Sequence, residues 1–243
     1  LIVMFIIVYL VSNLTRPTST LPDGKQPKYS VVKTSNKSDW QLIMFDVGQG
    51  LSVLIKRGER AILYDTGAAY PSGFNMSDAV ILPYLQYANI MELDKVILSH
   101  SDNDHAGGIK QLQQGIKINQ LMTNDKKIIS LQEITDKKNN LACLQGDDFY
   151  WEGILFQVLW PITVDVNKKP RNDDSCVLLI SSGSHSVLLT GDISKKTERA
   201  LIHSYPGLKA NVLIVPHHGS NTSSSNDFLK HLTNYEFVLN RCQ

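Results

Sequence analysis

The residues with the clearest capacity for chemistry lie close together, at His100, Asp102, Asp104 and His105. They directly follow the apolar run 96–98, which predicts a buried strand. Imidazole and carboxylate groups are common ligands of divalent metal ions. A ligand-rich loop at the end of a strand therefore predicts a metal site.

The backbone of this loop determines which ligands can share an ion. Alternation along the chain predicts that His100 and Asp102 point one way and Asp104 another, while His105 begins a helix. The glycines at 107–108 leave the start of that helix conformationally free. A single aspartate here could instead cap the helix, but two histidines and two aspartates at this spacing favour metal binding. One short loop could therefore serve two metal ions.

Asp192 is a further candidate, because it directly follows the apolar run 187–189 and a Thr-Gly pair. A glycine at this point permits close approach of the backbone. Asp192 could also cap a helix that begins near Ser194. The two roles are physically compatible.

A pair of adjacent histidines, His217 and His218, follows the predicted strand 210–215. Neighbouring residues on an extended chain point to opposite sides, so the two imidazoles are not expected to bind the same ion. A polar, glycine-containing strand end is also a poor place to bury them as core residues. This pair therefore adds to the predicted site.

Asp46 and Asp65 each stand at the end of a predicted strand and are followed by glycine within two residues. Forming a turn is the more frequent role of such an aspartate. The alternative is that they orient metal-binding histidines, because ligating imidazoles need a hydrogen-bonded outer partner. Both interpretations remain open from sequence alone.

The composition limits the classes of partner. A chain of 243 residues with 42% hydrophobic content can bury a sizeable core, and we expect one large domain. The net charge of +1 provides no general basic field for nucleic acid, so any contact with DNA must be local. Three scattered cysteines, without Cys-x-x-Cys spacing, are interpreted as buried or incidental thiols.

The chain begins with an apolar run of eleven residues, which is shorter than the ~20 residues that span a membrane. The polar stretch that follows favours the tail of a transmembrane helix over a core strand. We therefore predict the end of a transmembrane segment at 1–14, a Pro-rich linker at 15–39 and a globular domain at 40–243.

Within the globular domain, apolar strands alternate with amphipathic helices. Strands are predicted at 42–47, 51–56, 61–65, 94–98, 155–160, 176–181, 186–190 and 210–215, and helices at 77–90, 106–114, 195–205 and 227–233. Strands grouped with helices outside them predict an α/β fold with a four-layer α/β/β/α sandwich. The segment 116–146 carries no clear pattern.

The loop pattern His-x-Asp-x-Asp-His resembles the His-x-His-x-Asp-His signature of the metallo-β-lactamase superfamily, whose fold is this sandwich. Asp102 stands where the superfamily usually has its second histidine. Carboxylate in place of imidazole makes the site harder, which favours Mn²⁺ or Mg²⁺ relative to Zn²⁺. The resemblance thus implies two divalent metal ions, with Mn²⁺ preferred and Zn²⁺ or Mg²⁺ as alternatives.

The motifs at 46–50, 81–85, 189–192 and 216–220 narrow the resemblance to the lactamase-like domain of the ComEC family. These are membrane channel proteins of DNA uptake in natural transformation. The resemblance implies a membrane-anchored domain on the extracytoplasmic side, with DNA and other competence proteins as partners. It also implies that the domain continues beyond Gln243. Leu51 departs from the family, which often has an acidic residue there.

The resemblance also implies ligand sets for the two ions. The first set is His100, Asp102 and Asp192, and the second is Asp104, His105, Asp192 and His218. The first is one ligand short, and Asn172, Asp173 or water could complete it. His217 is left to face the substrate and donate a proton. Asp104 or Asp192 would orient the attacking water, and Ser220 is suited to contact a phosphate.

The activity implied is a two-metal nuclease that hydrolyses DNA phosphodiester bonds and degrades the strand that is not transported. Two alternatives remain. One is a metallohydrolase of a small phosphodiester or ester, which the near-neutral charge favours slightly. The other is a non-catalytic module that guides DNA and uses metal only to stabilise its fold.

Overall fold

A computed structural model describes residues 14–15, 29–33, 40–130, 140–165, 168–232 and 237–239. The chain divides into two compact units, one within Ser12–Ala142 and one within Cys143–Gln243. We call them the N-terminal unit and the C-terminal unit, and each is described by itself.

The N-terminal unit is built on an eight-stranded sheet with the order β1-β2-β3-β4-β5-β7-β9-β10. Strands up to β5 pair antiparallel with their sequence neighbours, and β5, β7, β9 and β10 pair in parallel. Two further short strands, β6 and β8, pair with each other. The strands are β1 Leu14–Thr15, β2 Tyr29–Lys33, β3 Gln41–Phe45, β4 Val53–Arg57, β5 Arg60–Tyr64, β6 Glu92–Leu93, β7 Lys95–Ile97, β8 Lys117–Ile118, β9 Leu121–Met122 and β10 Asn140–Leu141.

The helices of this unit cover the sheet with apolar side chains. They are a π-helical turn at Ser77–Ile81 and the α-helices α1 Leu82–Tyr87, α2 Asn103–Ala106, α3 Ile109–Gly115 and α4 Lys126–Ser130. Ile81, Leu85 and Leu112 pack with strand residues such as Ile43 and Leu63 in one buried cluster. This burial removes apolar surface from water and holds helices and sheet together.

Ser77 does not cap the helix that its position predicted it would open. Its hydroxyl donates instead to the carbonyl of Gly108, over 2.8 Å. The Asn75 side chain accepts from the backbone N–H of Asp78, over 2.8 Å, and so satisfies a donor at the helix start. The sequence alone did not indicate that the side chain of Asn75, and not that of Ser77, would satisfy a donor at the helix start.

The sheet begins upstream of Trp40, inside the segment 15–39 for which composition predicted a linker. Strand β2 pairs antiparallel with β3, with Tyr29 opposite Phe45 and Lys33 opposite Gln41. The prolines around this short strand masked its pattern. The apolar run 1–11 lies outside the described residues, and within the described part of the chain no helix has the length and apolar character to cross a bilayer.

The C-terminal unit contains a six-stranded sheet whose order follows the chain, from β11 to β16. Strands β14, β15 and β16 pair in parallel, and the others pair antiparallel. Residues from both helices, such as Leu201 and Phe228, share a buried cluster with Leu188 and Leu213 of the sheet. The elements are β11 Phe149–Trp151, β12 Ile154–Trp160, β13 Val177–Ser182, β14 His185–Leu189, α5 Lys195–Ser204, β15 Val212–Ile214, α6 Asn226–His231 and β16 Phe237–Leu239, with 3₁₀ turns at Asn172–Asp174 and Pro216–Gly219.

A disulfide joins Cys143 to Cys176 in this unit, with the two Cα atoms 5.8 Å apart. The sequence-based interpretation of these residues as buried or incidental thiols was therefore wrong about pairing, although both are fully buried. The partners lie 33 positions apart, so no short spacing signalled the bond. Cys242 lies outside the described residues.

The glycines at 107–108 serve close packing and not the conformational freedom that the sequence suggested. Gly107 and Gly108 have φ values of −60° and −80°, which any residue can adopt. A Cβ on Gly108 would lie 2.5 Å from the carbonyl oxygen of Thr66 and 2.5 Å from the Ser77 hydroxyl. The loop 99–108, which carries candidate metal ligands and which we call the metal loop, therefore packs directly on the backbone that follows β5.

We predict that Gly108→Ala lowers the free energy of unfolding by about 1–3 kcal/mol, because the added methyl overpacks a backbone contact. Gly207→Ala is the matched control, since a Cβ there would meet nothing within 4 Å. Urea unfolding of the two variants measures the difference. Equal stability of Gly108→Ala and Gly207→Ala would contradict the packing explanation.

Candidate metal centre

The loop that carries the candidate ligands of the N-terminal unit follows β7, and Asp65 follows the neighbouring strand β5. Because these strands pair in parallel, their carboxyl ends meet at one edge of the sheet. The Asp65 N–H donates to the carbonyl of Ile97, and the Thr66 N–H donates to the carbonyl of His105. Backbone hydrogen bonds alone therefore join the segment after β5 to the end of β7 and the loop that follows it.

Asp65 is a fully buried carboxylate that accepts three hydrogen bonds. The N–H of Ser99 donates to Oδ1 over 2.7 Å, and the Ser99 hydroxyl donates to Oδ2 over 2.8 Å. Nδ1 of His105 lies 2.7 Å from Oδ2. Asp65 itself has a φ of 60°, a left-handed conformation that aspartate tolerates better than most residues. Its geometry is that of a group that orients a histidine.

These contacts determine the tautomers of both histidines. A carboxylate can only accept, so Nδ1 of His105 carries the proton and Nε2 carries the lone pair that binds a metal. The Ser99 hydroxyl uses its single proton on Asp65 and so accepts from Nδ1 of His100, 3.0 Å away. One buried carboxylate therefore holds two imidazoles in the metal-binding form, one directly and one through Ser99.

The candidate ligands of this loop lie in two pairs, and the second pair belongs to α2 and not to alternating extended backbone. Nε2 of His100 lies 3.6 Å from the Asp102 carboxylate, and Nε2 of His105 lies 3.9 Å from the Asp104 carboxylate. Two ligands of one divalent ion, each about 2.0–2.2 Å from it, are separated by roughly 3–4 Å. Both pairs fit that separation, and the imidazole and carboxylate donors suit a divalent cation.

In the C-terminal unit, Asp192 follows β14, and the histidine pair follows the parallel neighbour β15. The His217 N–H donates to the carbonyl of Gly191, over 3.1 Å. The Asp192 N–H donates to the hydroxyl of Ser175, also over 3.1 Å. Asp192 is 3% exposed, so these contacts hold a nearly buried carboxylate at the end of the sheet.

The backbone at the histidine pair is not extended, so the argument from alternation was wrong at this point. His217 and His218 both adopt left-handed conformations, with φ of 50° and 51°. Consequently the Nε2 atoms of both histidines lie 3.8 Å from Oδ2 of Asp192. The His218 side chain is 18% exposed and the His217 side chain 34%. His217 also has Nδ1 within 3.2 Å of the Thr222 hydroxyl.

Asp173 is engaged in the structure of the C-terminal unit. Its carboxylate accepts from the N–H and the hydroxyl of Ser194 and from the hydroxyl of Thr197, at the start of α5. Burial alone would raise the pKa of Asp173, but the hydrogen bonds from Ser194 and Thr197 outweigh it and lower that pKa below its ordinary value. Asp173 therefore anchors the start of α5 through Ser194 and Thr197, and the N-cap position is occupied by Ser194 and not by Asp192, which the sequence offered as a possible cap.

Three other residues were predicted to belong to the site. Asn172 opens the 3₁₀ turn Asn172–Asp174 and is half-buried. Ser220 follows the histidine pair, with its hydroxyl 3.1 Å from that of Thr222. Asp46 is exposed at the end of β3. Their roles as ligand, phosphate contact and orienting group stay predictions.

Sequence reasoning missed Ser99 and Ser175. Each is a fully or almost fully buried hydroxyl that contacts a candidate site, Ser99 at 1% and Ser175 at 0% exposure. A hydroxyl residue directly before His100 was the one available signal for Ser99. Ser175 is 17 positions from Asp192, so only the fold brings it close.

Comparisons with known proteins show which family this chain resembles. The model of the metallo-beta-lactamase superfamily matches residues 45–233. Recombination protein 2 of Haemophilus influenzae is 41% identical over 193 residues, covering 79% of this chain and 23% of that protein. Competence protein ComA of Neisseria gonorrhoeae is 36% identical over 192 residues, covering 76% of this chain and 25% of that protein. The chain spans about a quarter of the length of these curated relatives.

Solved structures agree on the fold. A metallo-β-lactamase of Cronobacter sakazakii matches with a TM-score of 0.52 and 11% identity, covering 79% of this chain and 82% of that one. The predicted metallo-β-lactamase-like α/β fold is confirmed. The resemblance to the ComEC family is also confirmed, because the curated homologues are competence proteins of that family.

We predict that Asp65→Asn lowers metal affinity by about 10–100-fold, as loss of an outer partner of a ligating histidine typically does. Asparagine offers one acceptor oxygen, so at least one donor from Ser99 or His105 would face an amide N–H. The same mismatch should cost about 1–3 kcal/mol of unfolding free energy. Calorimetric titration with Mn²⁺ and urea unfolding measure the two effects.

Asp125→Asn is the matched control for this experiment. Asp125 is also nearly buried in the N-terminal unit, but its Oδ1 accepts from the N–H of Lys127, a role that asparagine can keep. Its metal affinity should equal that of the unchanged chain. If Asp65→Asn binds Mn²⁺ as tightly as Asp125→Asn, Asp65 does not orient the ligands.

We predict that the stabilisation from Asp173 is present at pH 7 and is lost in acid. Because its folded-state pKa lies below the ordinary 3.8, the charged form stabilises the fold above 3.8, and this contribution disappears as the pH falls through the folded-state pKa. Asp173→Asn replaces hydrogen bonds to a charged acceptor by weaker ones to a neutral amide and should therefore be about 1 kcal/mol less stable than the unchanged chain at pH 7. Urea unfolding at decreasing pH should show the two curves converge. A difference that is independent of pH would contradict the charge-based explanation.

Proposed function

The chain belongs to the metallo-β-lactamase superfamily, and from this premise we propose that it is a metal-dependent nuclease domain. In this proposal it hydrolyses DNA phosphodiester bonds and degrades the strand that is not transported during DNA uptake. The relatives named for competence and recombination support the setting in DNA uptake.

The observation that carries the proposal is the paired arrangement of ligands. Each histidine of the metal loop faces a carboxylate at the separation that suits two ligands of one ion, and both have Nδ1 occupied. A loop that needed metal only for stability would be served by one closed ligand set. Two imidazole–carboxylate pairs in one short loop suit a pair of ions, which is the common arrangement for phosphodiester hydrolysis.

We propose His100, Asp102, Asp104 and His105 as metal ligands in the N-terminal unit, and Asp192 and His218 as metal ligands in the C-terminal unit. Bound divalent ions would lower the pKa of a water molecule and stabilise the charge on the phosphate. Mn²⁺ is the proposed metal, because carboxylate at position 102 makes the donor set harder. Asp104 and Asp192 can accept a hydrogen bond from the attacking water and so orient it.

His217 is the proposed proton donor to the leaving oxygen. It is the more exposed of the two histidines, and the Thr222 hydroxyl near its Nδ1 restrains the ring. A general acid must reach the substrate and must reload its proton from water, and partial exposure serves both needs. Ser220, three positions after His217, is a candidate contact for a phosphate oxygen.

We propose a membrane-anchored location outside the cytoplasm, with the uptake channel and other competence proteins as partners. The disulfide between Cys143 and Cys176 supports this location, because disulfides persist in oxidising compartments and are rare in the cytosol. Membership of the relatives in a family of membrane proteins supports the anchor.

Hydrolysis of a small phosphodiester or ester is the second candidate, and the net charge of +1 is the observation that favours it. An enzyme that acts on long DNA usually carries a basic stripe. The stripe binds phosphates and makes the affinity for DNA dependent on salt. DNA added to an assay with a chromogenic phosphodiester distinguishes the two. DNA should compete with the small substrate if it is the natural one.

We predict that Asp104→Asn reduces Mn²⁺-dependent cleavage of labelled DNA by about 100-fold or more, because loss of a ligand exceeds the 10–100-fold effect of losing an outer partner. Single-stranded and double-stranded substrates should be tested with Mn²⁺, Mg²⁺, Zn²⁺ and chelator. Asp227→Asn, which removes an exposed carboxylate in the first turn of α6, is the control and should cleave normally. Undiminished cleavage by folded Asp104→Asn would refute the mechanism.

A further inference from the structure

The loop 68–76, which we call the aromatic loop, holds two large rings in solvent. Tyr70 is 42% exposed and Phe74 is 53% exposed. Their ring centroids lie 5.8 Å apart, and the ring planes are inclined by 32°. Core packing does not account for rings that remain this exposed, and adjacent exposed aromatics commonly mark a binding surface.

The aromatic loop is a defined hairpin. The Tyr70 N–H donates to the carbonyl of Phe74, the Gly73 N–H donates to the carbonyl of Tyr70, and the Met76 N–H donates to the carbonyl of Ala68. Ala69 and Asn75 form an isolated antiparallel bridge. The backbone that carries the two rings is therefore already ordered, which lowers the entropy lost when they bind a ligand.

The base of the aromatic loop is fixed to the metal loop of the same unit. The N–H of Gly108 donates to the carbonyl of Gly67, over 2.9 Å. A Cβ on Gly107 would lie 2.6 Å from the backbone nitrogen of Ala69, so the two segments are in close backbone contact. The Leu51 N–H also donates to the carbonyl of Asp104, and this bond joins the turn 48–51 to the metal loop.

The Tyr70 hydroxyl lies beside that turn. It is 4.0 Å from the position that a Cβ on Gly48 would take, and a Cβ on Gly50 would lie 2.5 Å from the carbonyl oxygen of Asp104. The ring of Tyr70 thus borders a backbone segment that packs directly on a candidate ligand. A molecule that contacts this ring is placed close to the metal loop.

We propose that Tyr70 and Phe74 form a base-stacking platform for single-stranded DNA, next to the ligands of the N-terminal unit. This inference rests on the proposed function and adds the form of the substrate, since only unpaired bases expose their faces to a protein ring. Stacking binds bases of any sequence and adds affinity that does not depend on charge, so a net charge of +1 is compatible with it. A basic stripe would instead be required for a duplex, whose bases are covered.

The test measures binding of the 243-residue chain to fluorescent oligothymidine of about 12 nucleotides, a length within the range that single-strand sites occupy. Chelator is present so that no cleavage occurs. Tyr70→Ala and Phe74→Ala should each weaken binding by about 5- to 100-fold. Tyr70→Phe keeps the ring and should bind as the unchanged chain does. The loss in Tyr70→Ala should be the same at low and high salt, because stacking releases no counterions.

Two controls separate stacking from other effects. Tyr87→Ala removes another exposed tyrosine of the same unit and should leave binding unchanged. An abasic strand of the same length should bind the unchanged chain as weakly as oligothymidine binds Tyr70→Ala. Equal affinity for abasic and base-bearing strands would overturn the proposal. So would a Tyr70→Ala variant that binds DNA normally but changes the sedimentation of the chain, because the loop would then be a protein contact.

The same variants keep this inference separable from the proposed function. Hydrolysis of a small chromogenic phosphodiester with Mn²⁺ does not need a stacking platform, so Tyr70→Ala should retain it. Loss of oligothymidine binding in Tyr70→Ala supports the platform whether or not the chain cleaves DNA. Normal binding in Tyr70→Ala refutes the platform even if Asp104→Asn abolishes cleavage.

Discussion

The contacts of one buried carboxylate, Asp65, organise the metal-binding face of the N-terminal unit. It accepts two hydrogen bonds from Ser99 and contacts His105. Through Ser99 it also determines which ring nitrogen of His100 carries the proton. A charge without access to water is tolerable only when its acceptors are satisfied. The loop after β7 must therefore keep its conformation for the fold to accommodate Asp65. Structural stability and ligand orientation depend on the same three residues.

Both units use one geometric device. A carboxylate follows one strand, histidines follow its parallel neighbour, and the shared edge brings them together: Asp65 and His105 after β5 and β7, and Asp192 and the histidine pair after β14 and β15. Carboxyl ends of adjacent parallel strands are where loops from distant parts of the sequence meet. Short backbone bonds across that edge then hold each loop in place.

The sequence predicted the parts of the fold that depend on local pattern. Apolar runs located β5, β7, β12 and β14, and the spacing of histidines and aspartates indicated the loop after β7, where these side chains lie in two pairs. The sequence-based prediction failed where contacts between distant residues determine the structure. Strand β2 exists because β3 pairs with it, although its own surroundings are rich in proline.

The errors at the site have the same origin. The disulfide joins residues 33 positions apart, and Asp173 accepts a hydrogen bond from Ser194 at the start of α5, 21 positions away. At the histidine pair only the assumed backbone was wrong, because a period of two holds for extended chain, whereas both residues are left-handed. Asp65 illustrates the opposite limit, since its sequence context allowed both a turn and an orienting role. Only the contact with His105 separates them.

The left-handed backbone at the histidine pair has an evolutionary consequence. Each non-glycine residue held there costs about 1–2 kcal/mol relative to an ordinary conformation. A sequence selected for stability alone would gain by carrying glycine at position 217 or 218. Such a chain would be harder to unfold but would have lost one of the two imidazoles beside Asp192. At this turn, selection for durability and selection for chemistry act in opposite directions.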